Sequence, residues 1–240
     1  NFNKGIKDSE RIFSMTSGDM DGSGKRQMNF CRPLAEVIIE GSPNIECGGI
    51  LSGGNTGYNR YWIEEDGVRR DIELGITSFS GKALSVFGFE AVEGSLDDIT
   101  DYSTLAVSET IAKRFGLKVG MTLGYEEHRA IRTIKAIFKD MPKNSHLKNV
   151  QVLRNIGDDG ITNFSEWGYN YFVKLYDPSQ IDEMAENLSK TTADFLKEKY
   201  FSALPSAEEM GMSQEAYDEA LGNFLKAAEV EFVSLEELYF

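Results

Sequence analysis

The segment most suggestive of chemistry is Asp19-Met20-Asp21-Gly22-Ser23-Gly24-Lys25-Arg26. A glycine-rich turn ending in lysine is one way a backbone cradles nucleotide phosphates. Here Asp19 stands where the first glycine belongs, and Arg26 replaces the hydroxyl that would bind magnesium. Asp19, Asp21, Ser23 and Gly24 also fall on the first, third, fifth and sixth positions of a calcium loop. The twelfth, which needs a bidentate glutamate, is Phe30. The stretch reads as an acidic solvent loop.

Histidine chemistry has only His128 and His146 to draw on. His128 follows Glu126-Glu127 in a hairpin turn and reads as solvated. His146 follows Asn144-Ser145, but adjacent side chains rarely face each other, and no Gly-x-Ser-x-Gly elbow occurs. Neither histidine has a Cys or Glu at zinc-ligand spacing. Cys31 and Cys47 flank an expected helix that holds them apart; two partly buried thiols are the simpler reading, and a disulfide stays open. The carboxylate runs Glu64-Glu65-Asp66, Asp97-Asp98, Asp158-Asp159 and Glu208-Glu209 suit solvated loops and helix starts. Glycosidase chemistry needs two acids facing across a cleft. Asn163-Phe164-Ser165 and Asn187-Leu188-Ser189 match glycosylation sequons, a pattern common by chance. Trp62, Trp167, Tyr169 and Tyr171 either line a groove or form core and cross-strand pairs. No residue is assigned to catalysis, to a cofactor or to a metal, and the chain is not read as an enzyme.

The elements that would position these residues follow from spacing. Arg11–Ser17 reads as a first strand. Pro33 opens a helix that keeps Leu34, Val37 and Ile38 on one face and stops at Gly41-Ser42-Pro43. Glu46–Ser52 reads as a strand. Tyr58–Ile63 and Val68–Ile76 form a hairpin turning at Glu65-Asp66-Gly67. Thr104–Val107 leads into a helix capped by Ser108 and closed by Gly116. Met121–Tyr125 and Ala130–Phe138 form a second hairpin, and Asp140–Leu147 is a turn. Val150–Leu153 and Tyr169–Leu175 are strands. A helix follows Asp177-Pro178-Ser179, with Ser179 and Asp182 as its capping pair, and Ser206–Glu209 is a second capping box. Tyr217, Ala220, Leu221, Phe224 and Leu225 mark an amphipathic helix, and Glu229–Ser234 is a closing strand.

This order favours an α+β fold. Residues 1–77 and 161–240 form one mixed subdomain, 78–160 an inserted β-rich subdomain, and 201–228 a helical insertion. The 240 residues suit one large or two small domains. With 25 basic and 39 acidic residues the net charge is −14, which argues against nucleic acid and against a basic lipid-docking patch. No apolar run approaches the roughly 18 residues of a membrane span. The chain begins at Asn1 without a signal-peptide pattern, so a processed or excised segment is expected.

Four ordered segments resemble the extracytoplasmic core domain of MacB-type, FtsX-like ABC transporter permeases. They are Asp8–Ser14; Val107–Gly116 (VSETIAKRFG) with Gly120; Phe138–Leu147 (FKDMPKNSHL); and Trp167 with Tyr171 and Leu175. Together they span about two-thirds of the chain. The resemblance implies a porter-like subdomain with an inserted β-rich one, set between the first and second membrane helices of a four-helix permease. It implies ATP hydrolysis on a separate cytoplasmic protein or domain, a periplasmic protein partner, a dimeric native permease and a monomeric isolated domain. Localisation would be the periplasmic face of the inner membrane, and the role efflux of antibiotic or peptide, or lipoprotein or cell-wall work. The matched residues Ser108, Glu109, Ala112, Phe115, Gly116, Gly120, Asp140, Pro142, Asn144, Ser145, His146 and Trp167 are structural in this reading. Loop 18–27 and stretch 201–228 depart from the pattern. The alternative is a free-standing periplasmic ligand-binding protein, which needs a deep pocket and not adjacent chain ends.

Overall fold

The computed structural model describes Asn3 and residues 5–18, 29–52, 58–125 and 130–238. In chain order the elements are β1 (Ile12–Thr16), α1 (Arg32–Gly41), β2 (Ile45–Ser52), β3 (Tyr58–Glu65), β4 (Val68–Phe79), α2 (Ala83–Phe87), β5 (Ala91–Gly94), β6 (Thr104–Ser108) and α3 (Glu109–Phe115). They continue with β7 (Thr122–Tyr125), β8 (Ala130–Phe138), β9 (Val152–Asn155), β10 (Tyr171–Leu175), α4 (Ile181–Phe195), α5 (Gln214–Ala227) and β11 (Glu231–Ser234). The fold is α+β. Loop 19–28 and His128, both weighed above for chemistry, lie outside the described residues.

Two compact units emerge, one of residues 1–9, 49–159 and 239–240, the other of 10–48 and 160–238. The chain crosses between them inside β2, at Gly48-Gly49. Spacing groups 1–77 with 161–240; the structure instead puts the β3–β4 hairpin with the strands that follow it. The reason is strand pairing.

In the first unit, β4 pairs with β3, β3 with β7, and β7 with β8, all antiparallel. β8 pairs in parallel with β6, β6 antiparallel with β9, and β9 in parallel with β4. Six strands thus close on themselves as a barrel. Its interior holds Tyr61, Leu74, Leu105, Leu123, Ile134 and Val152, and Ile111 and Ala112 of α3 join the same core. Each such aliphatic side chain, fully buried, contributes roughly 1.5–3 kcal/mol. The β3–β4 turn is the two-residue kind in which both residues take positive φ: Asp66 at 52° and Gly67 at 75°, with Glu65 paired to Val68.

The second unit orders its strands β11-β1-β10-β2, with β1 antiparallel to both β10 and β11. All five β1 residues are buried. The helix α1 begins one residue before Pro33 and packs against α4. Asn44 stitches the entry to α4: its Nδ2 donates to Asp177 O, and its Oδ1 accepts from Asp177 N, both at 2.9 Å. The cap at that entry is Asp177, whose carboxylate accepts from Ser179 N at 3.0 Å; Ser179 itself caps nothing there. Aspartate wins because Pro178 occupies the first turn and leaves the Ser179 amide as the donor to be satisfied. Ser206 and Glu209 do bond reciprocally, at 2.8 and 3.3 Å, but they close a turn; the helix α5 starts later, capped by Ser213. Cys31 and Cys47 are both buried.

The stretch 201–228 is attached through aromatic rings. Phe224 of α5 meets Trp167, Tyr200 and Phe201 at centroid distances of 5.9, 5.7 and 5.8 Å, and Tyr200 stacks on Phe164 at 5.6 Å. Among the described side chains of α5 none is fully buried, so this cluster is its main anchor. Phe224→Ala should weaken that anchor by about 2 kcal/mol. Faster amide hydrogen exchange confined to α5 is the expected result, and unchanged protection there would show the helix to be held otherwise.

On the barrel's outer face, Trp62 lies across Gly124 of the paired strand; a Cβ at Gly124 would sit 1.9 Å from the indole. The Arg69 guanidinium lies 5.1 Å from the same ring. Gly124→Val should displace the indole and cost about 2–3 kcal/mol. In a Trp167→Phe background the shift reads out as a change in Trp62 emission together with a lower Tm.

Candidate functional site

Two of the four matched segments, Val107–Gly116 and Phe138–Leu147, meet at one corner of the barrel unit. The Ser108 hydroxyl accepts from Ile111 N at 3.4 Å, opening α3. Glu109 is exposed in the first turn, Ala112 is buried, and Phe115 is half-buried against the barrel core. Gly116 ends the helix at φ 70°, and Gly120 turns at φ 90° while its N–H donates to Ile134 O at 2.8 Å. Asp140 accepts from Thr110 N at 3.2 Å and also from the Thr110 hydroxyl. That ties the turn 140–147 to the positive end of α3. Within the turn, Pro142 O accepts from Ser145 N at 3.0 Å and from Ser145 Oγ at 2.8 Å.

A segment that spacing did not single out completes this corner. Asn3, at φ 67°, donates its N–H to Asn144 O at 2.7 Å. Its side-chain oxygen accepts from His146 N at 3.0 Å and meets His146 Nδ1 at 2.9 Å. An amide oxygen can only accept, so His146 is the tautomer with the proton on Nδ1. Gly5 then passes so close to Pro142 and Asn144 that a Cβ would sit 2.4 Å from each. Asn3 and Gly5 are thus strapped to the turn before the chain enters β1. Local periodicity carries no trace of a contact made 143 residues apart.

The Phe87 ring stands edge-on to His146 at 5.8 Å, and burial pulls the imidazole pKa down to about 4. The ring is therefore neutral at pH 7 and acts as a hydrogen-bond donor, not a proton shuttle. Trp167 lies in the other unit, where its indole N–H donates to Phe164 O at 2.9 Å and its ring meets Phe30 at 5.2 Å. It is therefore not joined to the Ser108–His146 corner.

Nucleophiles and metals find little support. Burial pushes the Cys31 thiol up to about 12, which leaves no thiolate at neutral pH. No group of three His, Cys, Asp or Glu that could hold a metal occurs among the described residues. In the second unit the Tyr171 hydroxyl donates to Glu36 Oε1 at 2.8 Å, and Arg32 sits 3.8 Å from the same oxygen. Burial, then the Glu36 charge, raises the Tyr171 pKa, so the phenol stays protonated. The Tyr171 hydroxyl is thus satisfied within the second unit. Cavities are modest: about 510 Å³ beside Phe79, Leu84, Phe89 and Asn155, and about 230 Å³ between the end of α1 and α4. Among the described residues no helix is long and apolar enough to cross a membrane.

His146 supplies a pH test. Its folded pKa, about 4, lies below the ordinary 6.5, so unfolding takes up a proton in between. Its contribution is complete above pH 6.5 and is lost as the pH falls toward 4, by about 3 kcal/mol at most. Denaturant melts across that window should show the slope, and His146→Asn should flatten it. An equal slope in the variant would assign the acid sensitivity elsewhere.

No family model and no curated protein sequence matches the chain. Solved structures do. A domain of a Porphyromonas gingivalis protein described as a permease superposes with a TM-score of 0.62 at 22% identity, covering 79% of this chain and 88% of that one. The periplasmic region of MacB from Actinobacillus actinomycetemcomitans gives 0.56 at 10% identity, over 97% of this chain and 91% of that one. The extracellular domain of the noncanonical ABC-type transporter YknZ from Gram-positive bacteria gives 0.54 at 9% identity, over 92% and 99%. The chain therefore has the α+β fold shared by the extracytoplasmic domains of MacB-type permeases.

Proposed function

We propose that the chain is the extracytoplasmic domain of an ABC transporter permease, a mechanical and partner-binding module without catalysis of its own. One observation carries this reading. β1, the first strand, and β11, the last, are antiparallel neighbours, and Leu235 N donates to Ile12 O at 2.9 Å just where β1 begins and β11 ends. The chain thus enters and leaves the second unit side by side. A domain inserted between two neighbouring membrane helices needs that geometry.

In this reading a cytoplasmic ATPase moves the membrane helices, and the movement arrives through the two flanking segments. The incoming one reaches the barrel unit through the Asn3–His146 strap and the second unit through β1. The outgoing one follows β11. The strap thus conveys any shift of the incoming helix to the turn 140–147 and, through Asp140, to α3. The domain would face the periplasm, work in a dimeric permease and engage a periplasmic protein in efflux or in lipoprotein or cell-wall work.

Fractionation of the native organism tests this. The protein carrying this domain should stay in the membrane after osmotic shock, be cut by protease added outside spheroplasts, and co-purify with an ABC ATPase in detergent. Release into the shock fluid as a free protein of this size would sink the proposal and favour the binding-protein alternative.

A further inference from the structure

Strand β8 carries a positive charge into the barrel. Ile131 is 59% exposed while Arg132 is only 5% exposed, and strand alternation turns Arg132 inward with Ile134. Its guanidinium lies 5.5 Å from the Tyr125 ring, which in turn leans on Tyr61 at 5.2 Å. On β9, Arg154 shares the inward phase of Val152. Its Nη2 donates to Ser78 Oγ at 3.1 Å, and its guanidinium lies 5.2 Å from Tyr102. The two cations lie toward the same end of the barrel: Leu105 of β6 pairs with both Arg154 of β9 and Ile134 of β8, and Arg132 stands two residues before Ile134, toward the end where β6 begins and β9 finishes.

Neither guanidinium has an ion-pair partner among the described residues. Each Nε is buried without a hydrogen-bond partner. The acids of this rim are already engaged: Asp159 accepts from the Tyr102 hydroxyl at 2.9 Å, and Asp101 accepts from Ser103 N at 2.7 Å. An uncompensated buried charge is destabilising, and a cation–π contact offsets only part of that cost. A chain selected only for stability would place a leucine or methionine at 132.

We propose that this end of the barrel is an oxyanion site, in which Arg132 and Arg154 together grip one carboxylate or phosphate group, with Tyr102 and Ser78 on its open side. The guanidinium fork matches both groups, which present two or more acceptor oxygens in or near one plane. Arg154 is half-buried and Tyr102 is 39% exposed, so the ligand reaches Arg132 past them. The site lies wholly within the barrel unit and does not depend on the permease reading.

The test follows the arginine Nε–H signals of the 240-residue chain by NMR while inorganic phosphate or N-acetylglycine is added separately at millimolar concentration. Saturable shifts of Arg132 and Arg154, with a rise in Tm, are expected. Response to phosphate alone assigns a phosphoryl ligand, response to N-acetylglycine alone a carboxylate, and response to both a site for either. Arg154→Gln should weaken binding about tenfold with the fold intact. Arg132→Met should abolish the response and raise the Tm in anion-free buffer, because it removes the unpaired charge. Should Arg132→Met not fold, Arg154→Gln decides alone. The proposal fails if neither anion shifts the two signals saturably, if Arg154→Gln binds as tightly as the parent, or if Arg132→Met lowers the Tm while leaving the anion response unchanged.

Discussion

Ile76, Thr77, Ser78 and Phe79 of β4 pair in parallel with Val152, Leu153, Arg154 and Asn155 of β9, and that pairing closes the barrel. Two parallel neighbours cannot be joined by a tight turn; the chain between them must leave and come back. Everything from α2 to β8 lies on that excursion, so the pairing constrains where each piece can sit. β5 is left to pair only with the end of β8, and α3 joins the barrel core. If β9 paired elsewhere, β4 and β6 would each expose an edge, and the inward side chains of all six strands would lose their enclosure.

The second unit solves a different problem. Its first and last strands are neighbours, so the hydrogen bonds of β1 hold both the incoming and the outgoing chain. Arg11 reinforces the start of β1, donating to Leu175 O at 2.7 Å and pairing with Glu46. Force applied along both flanking segments from the same side would load the β1–β11 ladder from one end, opening its bonds one after another. Antiparallel strands pulled at opposite ends share the load across every bond, so this geometry yields the more readily. The strap from Asn3 to His146 lies before that ladder in the chain.

Local chemistry was legible in the sequence, and long-range pairing was not. Asp66-Gly67 announced its turn because few residues accept positive φ at both positions, and Ser108 and Gly116 marked α3 because capping is decided within four residues. Ser179 misled because the entry turn begins earlier: Asp177 accepts from both the Ser179 amide and the Ser179 hydroxyl, which leaves Ser179 inside the turn and not at its cap. Ser206–Glu209 misled in another way: the reciprocal bonds formed, but Gly211 at φ 67° ended the turn before a helix could propagate. Placing the hairpin 58–79 with the outer subdomain followed from chain order alone. Its true neighbours, β7 and β9, lie far along the chain, and no propensity encodes that choice. The Asn3–His146 contact was invisible for the same reason.

Arg132 was partly legible. The alternation Arg132, Ile134 along β8 puts an arginine on the face that also carries apolar residues, a local conflict of the kind found where function overrides stability. The acidity of the chain bears on what such a site can hold. A net charge of −14 repels anions at a distance, but at physiological salt this repulsion fades beyond about 8 Å. Inside the barrel mouth, where water is scarce, the two guanidiniums act at short range and with little screening. Repulsion at the approach grows with ligand charge, whereas the grip is fixed by the single group that reaches Arg132. A compact ligand with one oxyanion group therefore gains more here than a polyanion, whose further charges would remain outside among the surface carboxylates.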